Sequence, residues 1–115
     1  MESLNVFIYC RISENSKRDL LDCQEKELQR LANLVNLNVV AVVKEVSNGK
    51  NFSSRGIQSL KHYVQAKKID IVLVYDNTRL VIFDDLYDEL KLFCNKYGVA
   101  IMVLEEIKSF ISISK

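Results

Sequence analysis

Four short apolar runs constrain this chain more than any other feature of it. They fall at residues 6–13, 39–43, 69–74 and 99–104, and three of them are dense in valine and isoleucine. Runs of this length and make-up read as strands buried on both faces. Between them the apolar period changes to that of a helix. Leu21, Gln24, Leu28, Leu31 and Val35 recur at steps of three and four, as one helical face does. A second helix is expected over about 55–67, with Ile57, Leu60 and Val64 inward and Ser54 as its N-cap. A third is expected from about Asp84 to Tyr97 on a stripe of Leu86, Leu90, Phe93 and Tyr97. Asp84 and Asp85 suit its positive end, and Gly98 suits its stop. The order β-α-β-α-β-α-β implies an α/β domain: a mainly parallel sheet of four to five strands, flanked by helices.

Composition narrows the function classes. The 115 residues suffice for one domain with a single core. No apolar run approaches the roughly 18 residues of a membrane span, and the first residues lack the basic-then-apolar layout of a secretory leader. A cytoplasmic protein without a membrane partner is expected. Three widely spaced cysteines, Cys10, Cys23 and Cys94, read as reduced packed thiols. With one histidine, His62, and no CxxC, a metal site is not expected. Residues 11–18 contain no glycine, which excludes a P-loop or a dinucleotide fingerprint after the first strand. The net charge of +1 is weak for gripping a duplex unaided.

The first run ends in Tyr9, Arg11 and Ser13, two residues apart. Strand pleating would send these three side chains the same way. The crevice beyond the carboxyl ends of the strands is where open α/β sheets bind ligands. A guanidinium and a hydroxyl delivered there together suit an anion, most simply a phosphate. Gln24 is a polar amide on an apolar stripe: it either meets solvent at the stripe's edge or hydrogen-bonds the loop after the first strand. Residues 45–54 form a long polar loop containing Asn48-Gly49 and Ser53-Ser54.

Tyr9-Cys10-Arg11-Ile12-Ser13, with Gln24 following, resembles the opening of the catalytic domain of serine site-specific recombinases, the resolvase/invertase superfamily. Gly49-x-Asn51 with Arg55-Gly56-Ile57, Arg79-Leu80-Val81-Ile82-Phe83, and Lys96-Tyr97-Gly98-Val99-Ala100-Ile101 resemble successive segments of the small serine transposases of insertion sequences. These matches cover about residues 5–106. The resemblance implies a resolvase-like catalytic domain over 1–106, with 107–115 a tail or the start of a helix. It implies cofactor-free DNA cleavage and rejoining through a phosphoserine link. Ser13 would be the nucleophile, Arg11 and Arg79 the phosphate clamp, and Tyr9, Gln24 and Arg55 supporting residues. It also implies DNA as partner, reached with help from an additional DNA-binding domain or partner, and a homodimer or higher oligomer.

Two departures bear on activity. Where the family has Asp-Arg-Leu-Thr-Arg, this chain has Thr78-Arg79-Leu80-Val81-Ile82, so an acidic residue and a second arginine are replaced. The family's long dimer helix and helix-turn-helix domain do not fall within these residues. An excised domain, a truncated product and a degenerate relative all meet that description. The alternative expectation is therefore a catalytically degenerate dimerising or regulatory module.

Overall fold

A computed structural model describes residues 3–13, 15–47, 54–75 and 84–114 of the chain. The elements alternate throughout: β1 (Asn5–Ile12), α1 (Arg18–Leu34), β2 (Asn38–Val46), α2 (Arg55–Gln65), β3 (Ile71–Val74), α3 (Asp84–Lys96), β4 (Ala100–Val103) and α4 (Leu104–Ser114). A 3-10 turn over Asn15–Lys17 leads into α1. The four strands form one sheet in the order β2-β1-β3-β4, and every neighbouring pair is parallel.

Both faces of the sheet are buried, as the uninterrupted apolar runs require. On one face Val6, Ile8, Cys10 and Ile12 of β1 pack with Leu21, Leu28 and Leu31 of α1 and with Leu104 and Ile107 of α4. On the other, Phe7 and Tyr9 pack with Ile57, Leu60 and Val64 of α2 and with Leu90 and Cys94 of α3. Tyr63 and Phe7 meet edge to face at 5.3 Å, and Phe93 and Tyr97 lie 5.3 Å apart. These rings are core and core margin, in keeping with their sequence spacing.

The first three helices stop in the same way. Asn36, Lys67 and Gly98 take positive φ values of 58°, 56° and 75°. In each case the next residue's N–H bonds a carbonyl five residues back: Leu37 to Ala32, Lys68 to Tyr63, and Val99 to Cys94. This paired closure satisfies carbonyls that a helix end leaves orphaned. Gly98 adopts the turn without a steric cost; Asn36 and Lys67 do not have that advantage.

Two expected strand ends move. β2 continues to Val46, so Glu45 and Val46 are strand residues rather than the start of a loop. β4 ends at Val103, and Leu104 opens α4 directly. α4 continues to Ser114. Leu104 and Ile107 are core residues, which makes this segment part of the folded unit.

The topology places the candidate site. β1 pairs with β2 as far as Ile12↔Val46, but with β3 only as far as Tyr9↔Val74. The chain winds from β1 to β2 on one side and then crosses to β3 and β4 on the other. Winding thus reverses between β1 and β3, and such a reversal opens a crevice beyond the strand ends. Residue 13 leaves β1 there, and Tyr75 leaves β3 there.

Candidate active site

Arg11 is 4% exposed, although it carries a full charge near the end of β1. Its neighbours explain how that is tolerated. Its Nη1 donates to the Ser47 carbonyl at 2.7 Å, and the Ser47 N–H donates to the Ile12 carbonyl at 3.0 Å. The ends of β1 and β2 are therefore joined by both backbone and side chain.

Gln24 settles the other side of the same residue. It is also 4% exposed. Its Nε2 donates to the Arg11 carbonyl at 3.2 Å, and its Oε1 accepts the Arg11 N–H at 3.3 Å. β3 has already ended at this level, so the amide takes the place of a missing strand. Buried backbone groups need such partners. Of the two readings of Gln24, the structure favours bonding over solvent, with its partner in the strand itself rather than in the following loop.

Tyr9, Arg11 and Ser13 do not share one environment. Tyr9 is fully buried in the α2–α3 core. Arg11 reaches sideways to β2. Ser13 lies one residue past β1 and is exposed, so its direction is no longer set by the pleat. Arg55 is the exposed first residue of α2 and lines a cleft of about 550 Å³ with Glu45, Ser47, Ser54 and Ser59. Arg79, Thr78, Ile82 and Asn48 lie outside the described residues.

Sequence reasoning missed Glu45. Its carboxylate collects three donors from two distant segments. The Tyr9 hydroxyl and the Ser54 hydroxyl (2.9 Å) both donate to Oε2, and the Gly56 N–H donates to Oε1 at 3.1 Å. Ser54 Oγ in turn accepts the Ile57 N–H at 3.3 Å, as expected of an N-cap. Glu45 thus fills the positive end of α2 and fastens it to β1 and β2. One available signal was its place in the run: Glu45 stands two residues after Val43, on the same face of a strand extended to Val46.

Burial, and then the Glu45 carboxylate as acceptor and as negative charge, pushes the Tyr9 phenol far above its ordinary pKa of 10. The Ser54 hydroxyl and the Arg11 charge oppose this only weakly. The unfolded phenol ionises near pH 10 while the folded one stays protonated. Its contribution to stability is therefore whole below pH 10 and lost above it, by about 1.4 kcal/mol per pH unit. Tyr9→Phe should flatten this alkaline decline, measured as urea midpoints at pH 9, 10 and 11. Equal slopes for the two proteins would contradict it.

A buried arginine and an exposed serine at a topological switch point can address a phosphate. The family model described as "Resolvase, N terminal domain" matches residues 6–112. The C-terminal catalytic domain of ISC1926 TnpA, an IS607-like serine recombinase, is 27% identical with a TM-score of 0.84, over 96% of this chain and 80% of that one. The corresponding domain of IS1535 TnpA, also IS607-like, is 28% identical with a TM-score of 0.70, over 85% and 69%. The N-terminal catalytic domain of TP901-1 integrase shares the fold, with a TM-score of 0.78 at 24% identity over 89% and 78%. A family-model match across nearly the whole chain places this protein in the Resolvase N-terminal domain family, among serine recombinases.

Proposed function

We propose that this domain cleaves and rejoins DNA with Ser13 as nucleophile, within a recombinase or transposase assembly. The observation that carries the reading is the exposed Ser13 hydroxyl immediately beyond a strand end that holds Arg11 buried and doubly braced. In the step, Ser13 Oγ attacks the phosphorus of a phosphodiester and forms a serine–phosphate ester. The bond to one deoxyribose oxygen breaks, and the hydroxyl proton ends on that oxygen or in solvent. Attack by a deoxyribose hydroxyl on the ester reverses the step and restores serine, so no energy source is consumed.

Serine is a weak nucleophile unaided. Neither neighbour of Ser13 in the chain is a histidine, so charge stabilisation and alignment have to supply most of the acceleration. Arg11 and Arg79 take that role here, with Arg55 assisting from the start of α2. Gln24 and Tyr9 act through what they hold: Gln24 fixes the Arg11 backbone, and Tyr9 fixes Glu45. A net charge of +1 supports dependence on a separate DNA-binding segment or partner, and on assembly into a dimer or higher oligomer.

The test is covalent trapping. The full-length protein is incubated with a suicide duplex carrying the DNA that flanks its own gene, and digests are mapped by mass spectrometry. A nucleotide adduct on Ser13, absent from Ser13→Ala, is the expected result. Its absence from the complete protein on its own DNA would favour the second reading, a degenerate partner subunit. Thr78 and Ile82, where the family has an acid and an arginine, motivate that alternative.

A further inference from the structure

Acids and bases are not spread evenly over this chain. α1 carries four acids and three bases, α3 four acids and two bases, and α4 two acids and one base. Residues 54–68, which span α2 and its exit turn, carry Arg55, Lys61, Lys67 and Lys68 and no acid at all. α3 packs on the same side of the sheet, with its acids in its first half and Lys91 and Lys96 in its second. The net charge of +1 conceals this basic face.

The lysines of the face are steadied by rings rather than by carboxylates. Lys61 Nζ lies 5.8 Å from the Phe93 ring centre, Lys68 Nζ 5.7 Å from that of Tyr63, and Lys96 Nζ 5.6 Å from that of Tyr97. A ring attracts an ammonium without neutralising it. On α1 and β2 the pairing is ionic instead: Arg30 with Glu27, and Lys44 with Asp22 and Glu25. Among the described residues Lys67, Lys68 and Lys96 have no carboxylate partner. Asp70, the next acid along the chain, accepts the Asn5 N–H.

Lys67 also stands where a lysine is costly. α1 and α3 close on Asn36 and Gly98, the residue types commonest in the left-handed region, whereas α2 closes on Lys67 at a φ of 56°. The negative end of a helix favours a cation, and Lys68 supplies one there without the strained backbone. Local rules are most often broken where function requires it.

We propose that the α2–α3 face carrying Lys67, Lys68 and Lys96 grips the sugar-phosphate backbone of the duplex flanking the phosphodiester that is cut. This rests on the reading of DNA as substrate. Arg55 opens α2 at the cleft by the strand ends, and Lys67 follows its last turn about 18 Å further along the axis. That length matches about five base-pair steps of duplex. Such contacts carry no sequence information and supply most of non-specific affinity. Lysines already steadied over rings lose less freedom on binding.

The test uses the full-length protein in a Ser13→Ala background and measures affinity for the suicide duplex as salt is raised. Lys67→Gly should leave the melting temperature equal to or above that of the background, because glycine takes the left-handed turn freely. The slope of log affinity against log salt should fall by about 0.9. Adding Lys68→Gln and Lys96→Gln should bring that fall to about 2.7 and weaken binding at least about tenfold at low salt, whatever the duplex sequence. Lys26→Gln with Lys108→Gln removes two exposed cations from the α1–α4 side and should leave the slope unchanged. An unchanged slope in the triple variant would overturn the proposal. So would an equal fall per charge in the α1–α4 control, which would make net charge the cause. Loss of self-association by the DNA-free triple variant, with its slope intact, would also overturn it and assign the face to a protein partner. If the wild type forms no Ser13 adduct while the slopes fall as stated, the nucleophile reading fails and the contact face stands.

Discussion

Gly56→Ala should lower the melting temperature by about 8 °C. The expectation from helix propensity has the opposite sign, since alanine is favoured over glycine by about 1 kcal/mol inside a helix. Packing reverses it. A Cβ on Gly56 would run into Glu45 Oε2, and would stand 2.6 Å from Glu45 Cδ and 2.7 Å from Tyr9 Cε2. Neither neighbour can yield at small cost. The Tyr9 ring is fully buried, and the Glu45 carboxylate holds three donors in place. Overpacking of this kind costs about 3 kcal/mol, which leaves about 2 net. For a domain of this size that corresponds to the stated loss. Calorimetry or thermal circular dichroism reads it directly, and an unchanged or raised melting temperature would show that the Tyr9–Glu45–Gly56 contact is not tight.

Arg11→Ala should reduce Ser13-adduct formation by about 10²- to 10³-fold, the usual loss on removing one donor to developing charge. A lysine should recover little of it, because an ammonium cannot reproduce the planar fork that reaches the Ser47 carbonyl while facing a phosphate. The loss should appear in the rate at saturating DNA more than in affinity, since the interaction strengthens as the phosphorus gains its fifth oxygen. Assays belong well below the melting temperatures of both proteins, because removing a buried side chain also weakens the β1–β2 junction. A rate within threefold of wild type would remove Arg11 from the chemistry and leave it as a structural tie.

The Glu45 cluster explains why these two expectations concern different links of one chain. Gly56 permits Glu45 to seat against the start of α2. Glu45 holds Tyr9, and Tyr9 lies two residues before Arg11 on the same strand. The residues on either side of Arg55, the first residue of α2, are held by a carboxylate from β2. Disturbing Gly56 should move Arg55 as well as destabilise the core.

Much of this was legible from periodicity and punctuation alone. Alternating buried runs and helical stripes determined the order of elements and the parallel sheet, because a strand buried on both faces has no polar positions to spare. Gly98 marked a helix end, Ser54 a helix start, and Gln24 stood out as a polar group on an apolar face. Only the tertiary structure decided the extent of β2, the continuity of α4 and the part played by Glu45. β2 is an edge strand, and α4 buries Leu104 and Ile107 while Glu105, Glu106, Lys108 and Ser109 stay exposed, so their partly exposed positions carry weaker patterns than the core. Glu45 meets Tyr9 across 36 positions of sequence, and no local pattern records which buried hydroxyl a carboxylate will find once a sheet brings two strand ends together.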